Sequence, residues 1–259
     1  MKVIILAAGQ GTRLRPYTDK IPKCMVSIGG KPLLFHQLDT MQNCKISFDD
    51  IALVGGYKID AFNQLKIKVF KNSQYDSTNM VSTLFCAREF IKPGEDLIIS
   101  YGDIIYEPKV LNSLLECNDP ICISADKEWE RLWRLRMDNP LLDAETFIMN
   151  KQFFVQELGK KPRSNTEVQA QYMGLIKVRS DMVEKLLNIY DAMDKGINYD
   201  GKDYKNMYMT SFIQYLIDTG WSVKACLVEN GWLEVDTVED LDVYKRMFDD
   251  GSISSYYRL

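Results

Sequence analysis

The sequence predicts an α/β fold in which a mixed, mostly parallel sheet is flanked by helices. Short runs rich in Val and Ile alternate with longer segments of helical periodicity along the 259 residues, a pattern typical of β-α-β units. Two of these runs, residues 97–101 and 121–125, are almost continuously apolar, as strands covered on both faces are. A chain of this length can bury such a sheet without disulfides or metal ions for support.

The individual elements follow in chain order. The apolar run at 3–7 predicts the first strand, and the segment 32–42 predicts the first helix. Asn79 is a typical N-cap residue, so we expect a helix over 79–91 that stops before Pro93. Further strands are expected at 51–54, 66–70, 97–101, 121–125, 146–149, 153–157, 171–178, 223–228 and 231–235, and further helices at 181–193 and 207–218.

The end of the chain predicts a closing helix and a tail. Thr237, with Asp240 three residues later, is typical of the N-cap of a helix, which we expect to continue through residue 247. We expect one domain over residues 1–249 and a loosely held tail over 250–259.

Composition and charge exclude several classes of protein. A net charge of −4 disfavours a nucleic-acid partner, because such surfaces need a basic excess. No apolar run reaches the roughly 18 residues of a membrane helix, so we expect no membrane partner, and the run at 3–8 is too short for a signal peptide. The six cysteines show no CxxC spacing, so we expect reduced thiols in a cytoplasmic protein.

A glycine-rich turn, AGQGTRL at 8–14, follows the first strand. It is not a dinucleotide fingerprint, because Leu14 stands where GxGxxG needs its third glycine, and it is not a P-loop, because no Lys-Ser/Thr pair follows. Gly9 and Gly11 would let the backbone approach a polyphosphate, with Arg13 and Lys23 as cations. From these residues alone, the turn is either a triphosphate-binding loop or a tight turn with solvated side chains.

Two aspartates follow predicted strands, Asp103 after 97–101 and Asp236 after 231–235. Open α/β sheets bind ligands at the carboxyl ends of their strands. Two carboxylates there suit Mg²⁺, or Mn²⁺, which keeps its other positions for water and phosphate oxygens. Alternatively, each aspartate caps the turn or helix that follows it.

The segments LAAGQGTRLRP at 6–16 and PK at 22–23 together resemble the signature of the nucleotidyltransferases that activate sugar phosphates and phosphocholine. The resemblance implies a Rossmann-like, GT-A-like sheet, and a reaction that transfers a nucleotidyl group and releases pyrophosphate. It implies that Arg13 and Lys23 are catalytic cations and that Asp103 and Asp236 bind the metal. The residues that it implies for nucleotide binding are Leu6, Ala7, Ala8, Gly9, Gly11, Thr12, Gly56, Tyr57 and Asn79.

Within that family, segments such as PKCMV at 22–26 and NMYMTSF at 206–212 resemble the small cytidylyltransferases, and among them the branch whose acceptor is phosphoglutamine. The resemblance implies CTP and a small phosphorylated acceptor as substrates, and a role in adding phosphoramidate groups to bacterial capsules. Phosphocholine and sugar 1-phosphates are the alternative acceptors. A non-catalytic nucleotide-binding subunit is the alternative from another class, although a degenerate copy would not need Arg13, Lys23, Asp103 and Asp236 together.

Residues 126–175 are the predicted acceptor-binding insertions. Charged side chains of both signs there suit an amino-acid headgroup, whereas Trp129, Trp133, Tyr172 and Trp232 are candidates for the aromatic cage that a quaternary ammonium needs. Trp129 and Trp133 also have the spacing of residues that pack on one helix face. The candidate acceptor-binding residues are Lys127, Trp129, Arg136, Glu145, Lys161, Gln171 and Glu234.

Overall fold

The computed structural model describes residues 1–258. Over this range the α-helices are α1 (Leu33–Asn43), α2 (Met80–Cys86), α3 (Pro108–Glu116), α4 (Trp129–Arg136), α5 (Ser180–Ala192), α6 (Met209–Asp218) and α7 (Val238–Asp250). The strands are β1 (Lys2–Ala7), β2 (Ser27–Ile28), β3 (Lys31–Pro32), β4 (Ile51–Gly55), β5 (Lys68–Lys71), β6 (Leu97–Tyr101), β7 (Ile104–Tyr106), β8 (Ile121–Asp126), β9 (Phe147–Met149), β10 (Val155–Leu158), β11 (Gln171–Val178), β12 (Asn198–Tyr199), β13 (Lys202–Asp203), β14 (Val223–Val228) and β15 (Trp232–Glu234).

Seven strands form the central sheet, in the order β14-β8-β11-β6-β1-β4-β5. Only β11 runs against its neighbours, β6 and β8, so the predicted mixed, mostly parallel sheet is confirmed. Side chains alternate along β1, where Val3 and Ile5 enter one apolar layer and Ile4 and Leu6 enter the other. Helices α1, α3, α4 and α7 cover the first face, and α2, α5 and α6 cover the second. The central strands are mostly apolar because helices bury both of their faces.

A two-stranded ribbon outside the main sheet brings distant parts of the chain together. β15 pairs antiparallel with β7, and Glu234 lies opposite Ile104. The Val235 N–H then donates to the Asp103 carbonyl at 3.0 Å. This pairing places residue 236 beside residue 103, at the carboxyl end of β6.

The predicted helices are confirmed with shifted ends, whereas α3 and the short strands β2, β3, β7, β12 and β13 were not predicted, and α4 was indicated only by the spacing of Trp129 and Trp133. The helix predicted over 79–91 ends at Cys86 and is followed by a separate 3₁₀ turn, Arg88–Phe90. Residues 104–116, to which the sequence assigned no element, form β7 and α3. Thr237 and Asp240 form a reciprocal capping box at the start of α7, as their spacing predicted.

Residues 251–258 pack onto the body of the protein, contrary to the expectation of a loosely held tail. Ile253 and Tyr257 are buried. The Tyr256 carbonyl accepts from the Gly231 N–H at 2.7 Å, and the Arg131 guanidinium covers the Tyr256 ring. Ile253 and Tyr257 therefore belong to the same apolar layer as the buried residues of α1 and α7.

The cysteines differ from expectation at one pair. Cys117 and Cys122, on either side of the α3–β8 connection, form a disulfide, so the prediction of six reduced thiols is wrong for these two. Cys24, Cys44, Cys86 and Cys226 are free. None of the helices in the described range is long and apolar enough to cross a membrane.

Candidate active site

The glycine-rich turn forms one end of a cleft at the carboxyl end of β1. Gly11 adopts a left-handed conformation with φ of 59°, and a Cβ at this position would lie 2.9 Å from Lys23 Cβ. The Thr18 hydroxyl donates to the Gly11 carbonyl at 2.7 Å and fixes the turn. Gly9 differs, because a Cβ there would meet nothing within 4 Å, which leaves its backbone open to a ligand.

Two further glycines allow neighbouring strand ends to approach β1. A Cβ on Gly102 would lie 2.7 Å from the Leu6 carbonyl, and one on Gly56 would lie 2.9 Å from the Ala8 carbonyl. Tyr57 then turns away from the cleft, and its hydroxyl donates to the carbonyls of Thr18 and Asp19 at 3.0 and 3.1 Å. Gly56 and Tyr57 thus support the turn from outside the cleft lining.

Lys23 joins the two strand-end aspartates. Its Nζ lies 2.7 Å from Asp103 Oδ2 and 2.6 Å from Asp236 Oδ1, although these partners are 80 and 213 residues away in the chain. Burial alone would lower the pKa of Lys23, but the two carboxylates hold it well above its usual value. Lys23 is therefore a fixed cation between two acids, with only 15% of its side chain exposed.

The same acids fit a divalent cation. Asp103 Oδ1 is buried and has no hydrogen-bond partner among the described residues. Asp103 Oδ2 and Asp236 Oδ1 both contact the ammonium of Lys23. Arg13 also forms an ion pair with Asp236, while 63% of its side chain is exposed. Although burial opposes it, the nearby cations, Lys23 foremost, lower the pKa of Asp236. Ionised oxygens close together are the ligands that Mg²⁺ prefers.

A buried ion-pair network lies directly behind Asp236. Arg136 Nη1 donates to Glu234 at 2.7 Å, and its Nε donates to Asp240 at 3.0 Å, with 1% of the Arg136 side chain exposed. Asp240 in turn accepts from the backbone N–H groups of Asp236 and Thr237 at 2.9 and 3.0 Å. Arg136 therefore fixes the start of α7 and, through it, Asp236.

Two adjacent clefts meet at this cluster. The first holds about 620 Å³ of open space, and its lining includes Leu6, Ala7, Ala8, Gly9, Lys23, Tyr75, Thr78, Asn79, Thr83 and Asp103. The second holds about 730 Å³, and its lining includes Arg13, Trp133, Asp143, Glu145, Gln171, Tyr172, Glu234 and Asp236. Met80 and Tyr101 line both clefts. A ligand in the first cleft thus lies beside Asp103 and one in the second lies beside Asp236, and Lys23 joins these two aspartates.

The structure groups only some of the predicted site residues. Of the candidates for nucleotide binding, Leu6 to Gly9 and Asn79 line the first cleft, whereas Gly11, Gly56 and Tyr57 shape the turn. Thr12 opens a short 3₁₀ turn, Thr12–Leu14, and is absent from the lining residues of both clefts. Asn79 also caps α2, since its Oδ1 accepts from the Met80 N–H at 2.8 Å.

Three of the seven acceptor candidates, Glu145, Gln171 and Glu234, line the second cleft. The other four lie elsewhere, each for a physical reason. Lys127 pairs with Glu229 at 2.9 Å on an exposed face, and Lys161 donates to the carbonyls of Leu141 and Leu142. Trp129 is buried and donates to the Val168 carbonyl, and Arg136 is enclosed by its two acids.

Sequence reasoning missed several lining residues, among them Tyr75, Thr78, Met80 and Thr83 in the first cleft and Tyr208, Met209 and Thr210 in the second. Most stand at the starts of helices or in turns, where no local pattern distinguishes a ligand contact from a cap. Tyr101 and Gly102 could have been predicted as lining residues, because they link an apolar strand directly to Asp103.

Glu145 is the acid of the second cleft that has no partner. Its side chain is half-buried, and neither an ion pair nor a hydrogen bond to its carboxylate is found among residues 1–258. Burial, together with the charges of Asp143 and Asp200, raises the pKa of Glu145 to about 7. Asp143, by contrast, accepts from the Trp133 indole at 3.1 Å.

Comparison with known proteins gives consistent similarities. Residues 3–159 match the family model of the MobA-like NTP transferase domain. Over 252 residues the chain is 41% identical to the CTP:phosphoglutamine cytidylyltransferase of Campylobacter jejuni, an alignment that covers 94% of this chain and 98% of that protein.

Two solved structures share the fold. The inositol-1-phosphate CTP transferase from T. maritima superposes with a TM-score of 0.73 at 20% identity, over 100% of this chain and 98% of the other. The CTP:phosphocholine cytidylyltransferase from Streptococcus pneumoniae gives 0.70 at 20% identity, over 95% and 98%. At this level of identity the two structures establish the architecture alone.

Proposed function

The chain belongs to the MobA-like NTP transferase family and is a nucleotidyltransferase, and on this premise we propose that it joins CTP and phosphoglutamine to give CDP-glutamine and pyrophosphate. The 41% identity over 94% of the chain to a CTP:phosphoglutamine cytidylyltransferase supports both substrates. The role in capsule phosphoramidate synthesis that the sequence resemblance implies stays a prediction.

The observation that carries the proposal is the position of Lys23. Its ammonium lies between Asp103 and Asp236 where the two clefts meet. One cleft is bounded by open backbone at Gly9, which suits a triphosphate, and the other is bounded by polar side chains, which suits a small acceptor. Such an arrangement would bring two phosphorylated substrates to one cluster of charges.

In the proposed reaction, an oxygen of the acceptor phosphate attacks the α-phosphorus of CTP. An O–P bond forms, the bond between the α-phosphorus and the bridging oxygen breaks, and pyrophosphate leaves with that oxygen. Because the nucleophile is already an anion, no general base is required, and catalysis consists of alignment and neutralisation of charge. We propose that Arg13, Lys23 and the N–H groups of the glycine turn bind the phosphate oxygens.

We propose Asp103 and Asp236 as the ligands of a Mg²⁺ ion, with Mn²⁺ as the alternative. The unpartnered Asp103 Oδ1 supports this choice. When bound, the ion would neutralise negative charge on the triphosphate. The nucleotide would then occupy the first cleft, along Leu6 to Gly9 and Asn79.

The acceptor would occupy the second cleft, with Glu145, Gln171 and Glu234 as its contacts. Phosphocholine is the second candidate, because Tyr101, Trp133, Tyr172 and Tyr208 also line this cleft and aromatic rings bind quaternary ammonium groups. The Lys23 cluster disfavours a non-catalytic nucleotide-binding subunit, since a protein without chemistry has no use for two acids on one buried lysine.

A pyrophosphate-release screen tests the proposal. Each of the four common nucleoside triphosphates is combined with phosphoglutamine, phosphocholine and several sugar 1-phosphates, in Mg²⁺ buffer. We expect release with CTP and phosphoglutamine above every other pair. Release with phosphocholine alone would show that phosphocholine, and not phosphoglutamine, is the acceptor. No release with any pair of substrates would refute the proposed function.

A further inference from the structure

We infer that the second cleft binds a primary ammonium group of the acceptor through Glu145, Gln171 Oε1 and the Tyr172 hydroxyl, and so selects primary over quaternary ammonium compounds. This inference rests on the proposed function, because it places the acceptor in this cleft. It goes further by assigning the group of the acceptor that is recognised and the atoms that recognise it.

The charges of the cleft provide the first argument. Its lining holds four carboxylates, on Asp143, Glu145, Glu234 and Asp236, and one cation, Arg13. Asp236 is paired with Lys23 and Arg13, Glu234 is paired with Arg136, and Asp143 accepts from the Trp133 indole. Glu145 has no such partner, so a cationic group of a ligand would provide the opposite charge that it lacks.

Two buried oxygen atoms provide a second, independent argument. Gln171 is 8% exposed and Tyr172 is 7% exposed, and both line the cleft. Gln171 Oε1 has no hydrogen-bond partner in the part of the chain that the structure describes, and the Tyr172 hydroxyl, which lies close to the Tyr101 hydroxyl, makes no hydrogen bond of normal geometry there. Buried polar atoms are almost always paired in native proteins, so these two oxygens indicate donors that come from a ligand.

The chemistry of the missing donor follows from these acceptors. A primary ammonium carries three N–H donors and a positive charge, which matches one carboxylate and two neutral oxygens. A quaternary ammonium carries no N–H donor, and would leave Gln171 Oε1 and the Tyr172 hydroxyl desolvated and unpaired. The oxygens therefore discriminate between two headgroups that the charge of Glu145 alone would not separate.

Three of the four aromatic rings that line the cleft pack against other side chains of the protein, whereas Tyr208 is exposed. The Arg136 guanidinium lies 4.7 Å from the centre of the Trp133 ring, and the Trp232 ring packs against Trp133 at 5.9 Å. The Tyr101 and Tyr172 rings meet perpendicularly at 5.8 Å. A quaternary ammonium needs open ring faces, and this packing leaves few of them.

The test measures binding as well as turnover. Titration calorimetry is run with phosphoglutamine, O-phosphoethanolamine and phosphocholine on the wild-type protein and on Glu145→Gln and Tyr172→Phe. The last two ligands differ only in the methyl groups of the ammonium. The control is Glu130→Gln, which makes the same change of charge on an exposed residue paired with Arg134.

We expect wild-type protein to bind O-phosphoethanolamine at least about 10-fold more tightly than phosphocholine, and each cleft variant to weaken phosphoglutamine about 10- to 100-fold, the usual range for a hydrogen bond to a charged group. In each cleft variant the KM for CTP should stay within about twofold of the wild-type value. Glu130→Gln should change the affinity for phosphoglutamine by less than about twofold. Melting temperatures separate folding defects from binding defects, since Glu145→Gln removes an unpaired, half-buried acid and should not lower the melting temperature.

The possible outcomes separate this inference from the proposed function. If wild-type protein turns over phosphoglutamine but Glu145→Gln and Tyr172→Phe leave its KM unchanged, the inference is wrong and the function stands. If no pair of substrates releases pyrophosphate, yet the two ammonium probes bind with the expected preference and lose it in the variants, the inference stands without the function. Tighter binding of phosphocholine by wild-type protein would overturn the inference in either case.

Discussion

Arg136 donates to Asp240 at 3.0 Å in a buried layer directly behind Asp236, and this contact connects the fold to the proposed metal site. Asp240 holds the backbone N–H of Asp236, so the ion pair behind the site fixes the acid within it. From the sequence, Arg136 is a candidate for binding the acceptor. In the structure it is instead paired with Glu234 and Asp240, and it positions Asp236 through Asp240.

Replacing Arg136 should destabilise the protein strongly. In Arg136→Met, Glu234 and Asp240 lose their partner, and breaking a buried pair costs about 3–5 kcal/mol. The matched control is Arg134→Met on the same helix, where the partner Glu130 is exposed and the loss should be under about 1 kcal/mol. Urea unfolding of both variants measures the difference. Equal losses would show that the buried network adds no stability.

Replacing Asp103 should abolish turnover without unfolding the protein. In Asp103→Asn, Lys23 keeps its contact with Asp236, but one of the two proposed metal ligands is lost. We expect pyrophosphate release to fall at least about 100-fold, with calorimetric affinity for Mg²⁺ reduced and the melting temperature within about 3 °C of wild type. Asp39→Asn, on an exposed ion pair with Lys31, is the control. Near-normal release would remove Asp103 from the metal site.

Replacing Lys23 should separate its structural and catalytic contributions. Lys23→Ala removes the ammonium between Asp103 and Asp236 and leaves only the largely exposed Arg13 paired with Asp236, so the melting temperature should fall in EDTA and recover in Mg²⁺. We expect kcat/KM for CTP to fall about 100-fold even in saturating Mg²⁺, because a donor to the triphosphate is lost. Lys20→Ala, an exposed residue of the same segment, is the comparison. An unchanged rate would exclude Lys23 from the reaction.

Local patterns predicted the individual strands of the sheet and the glycine turn well, because each of them is a contiguous segment of the chain. The meeting of Lys23, Asp103 and Asp236 depends on the pairing of β15 with β7, and β7 was not predicted. Arg136 and Lys127 carry the same charge in the sequence, but only the structure shows that one is enclosed by acids and the other is exposed. Composition likewise cannot show that Glu145 is half-buried and unpaired, since its surroundings depend on the assembled cleft.

Two glycines of the turn should respond differently to alanine. Gly11→Ala forces a side chain into a left-handed conformation, 2.9 Å from Lys23 Cβ, so we expect a loss of at least about 1–2 kcal/mol. Gly9→Ala meets nothing within 4 Å and should keep its stability, while a raised KM for CTP would reveal its position beside the triphosphate. Thermal melts and CTP kinetics check both. A stable Gly11→Ala would contradict the strain argument.

The pH dependence of acceptor binding should follow Glu145, whose pKa burial raises to about 7. Only the carboxylate form binds an ammonium, so the KM for phosphoglutamine should fall about 10-fold between pH 6 and pH 8. The acceptor phosphate also titrates near pH 6, and the ratio of wild type to Glu145→Gln removes that contribution. The charged and titratable groups around this carboxylate are Arg13, Tyr101, Asp143, Tyr172, Asp200, Glu234 and Asp236.

The raised pKa of Glu145 predicts that the protein becomes less stable as the pH rises, whereas acceptor binding becomes tighter. The folded protein holds the Glu145 proton up to about pH 7, whereas the unfolded chain releases it near its ordinary value, about pH 4.3. Folding therefore becomes less favourable as the pH rises between these values, and the loss is constant above them. Glu145→Gln should match wild type near pH 4.5 and melt at a higher temperature at pH 8. A constant difference in melting temperature across this range would show that Glu145 is ionised throughout, and that its pKa is not raised by the fold.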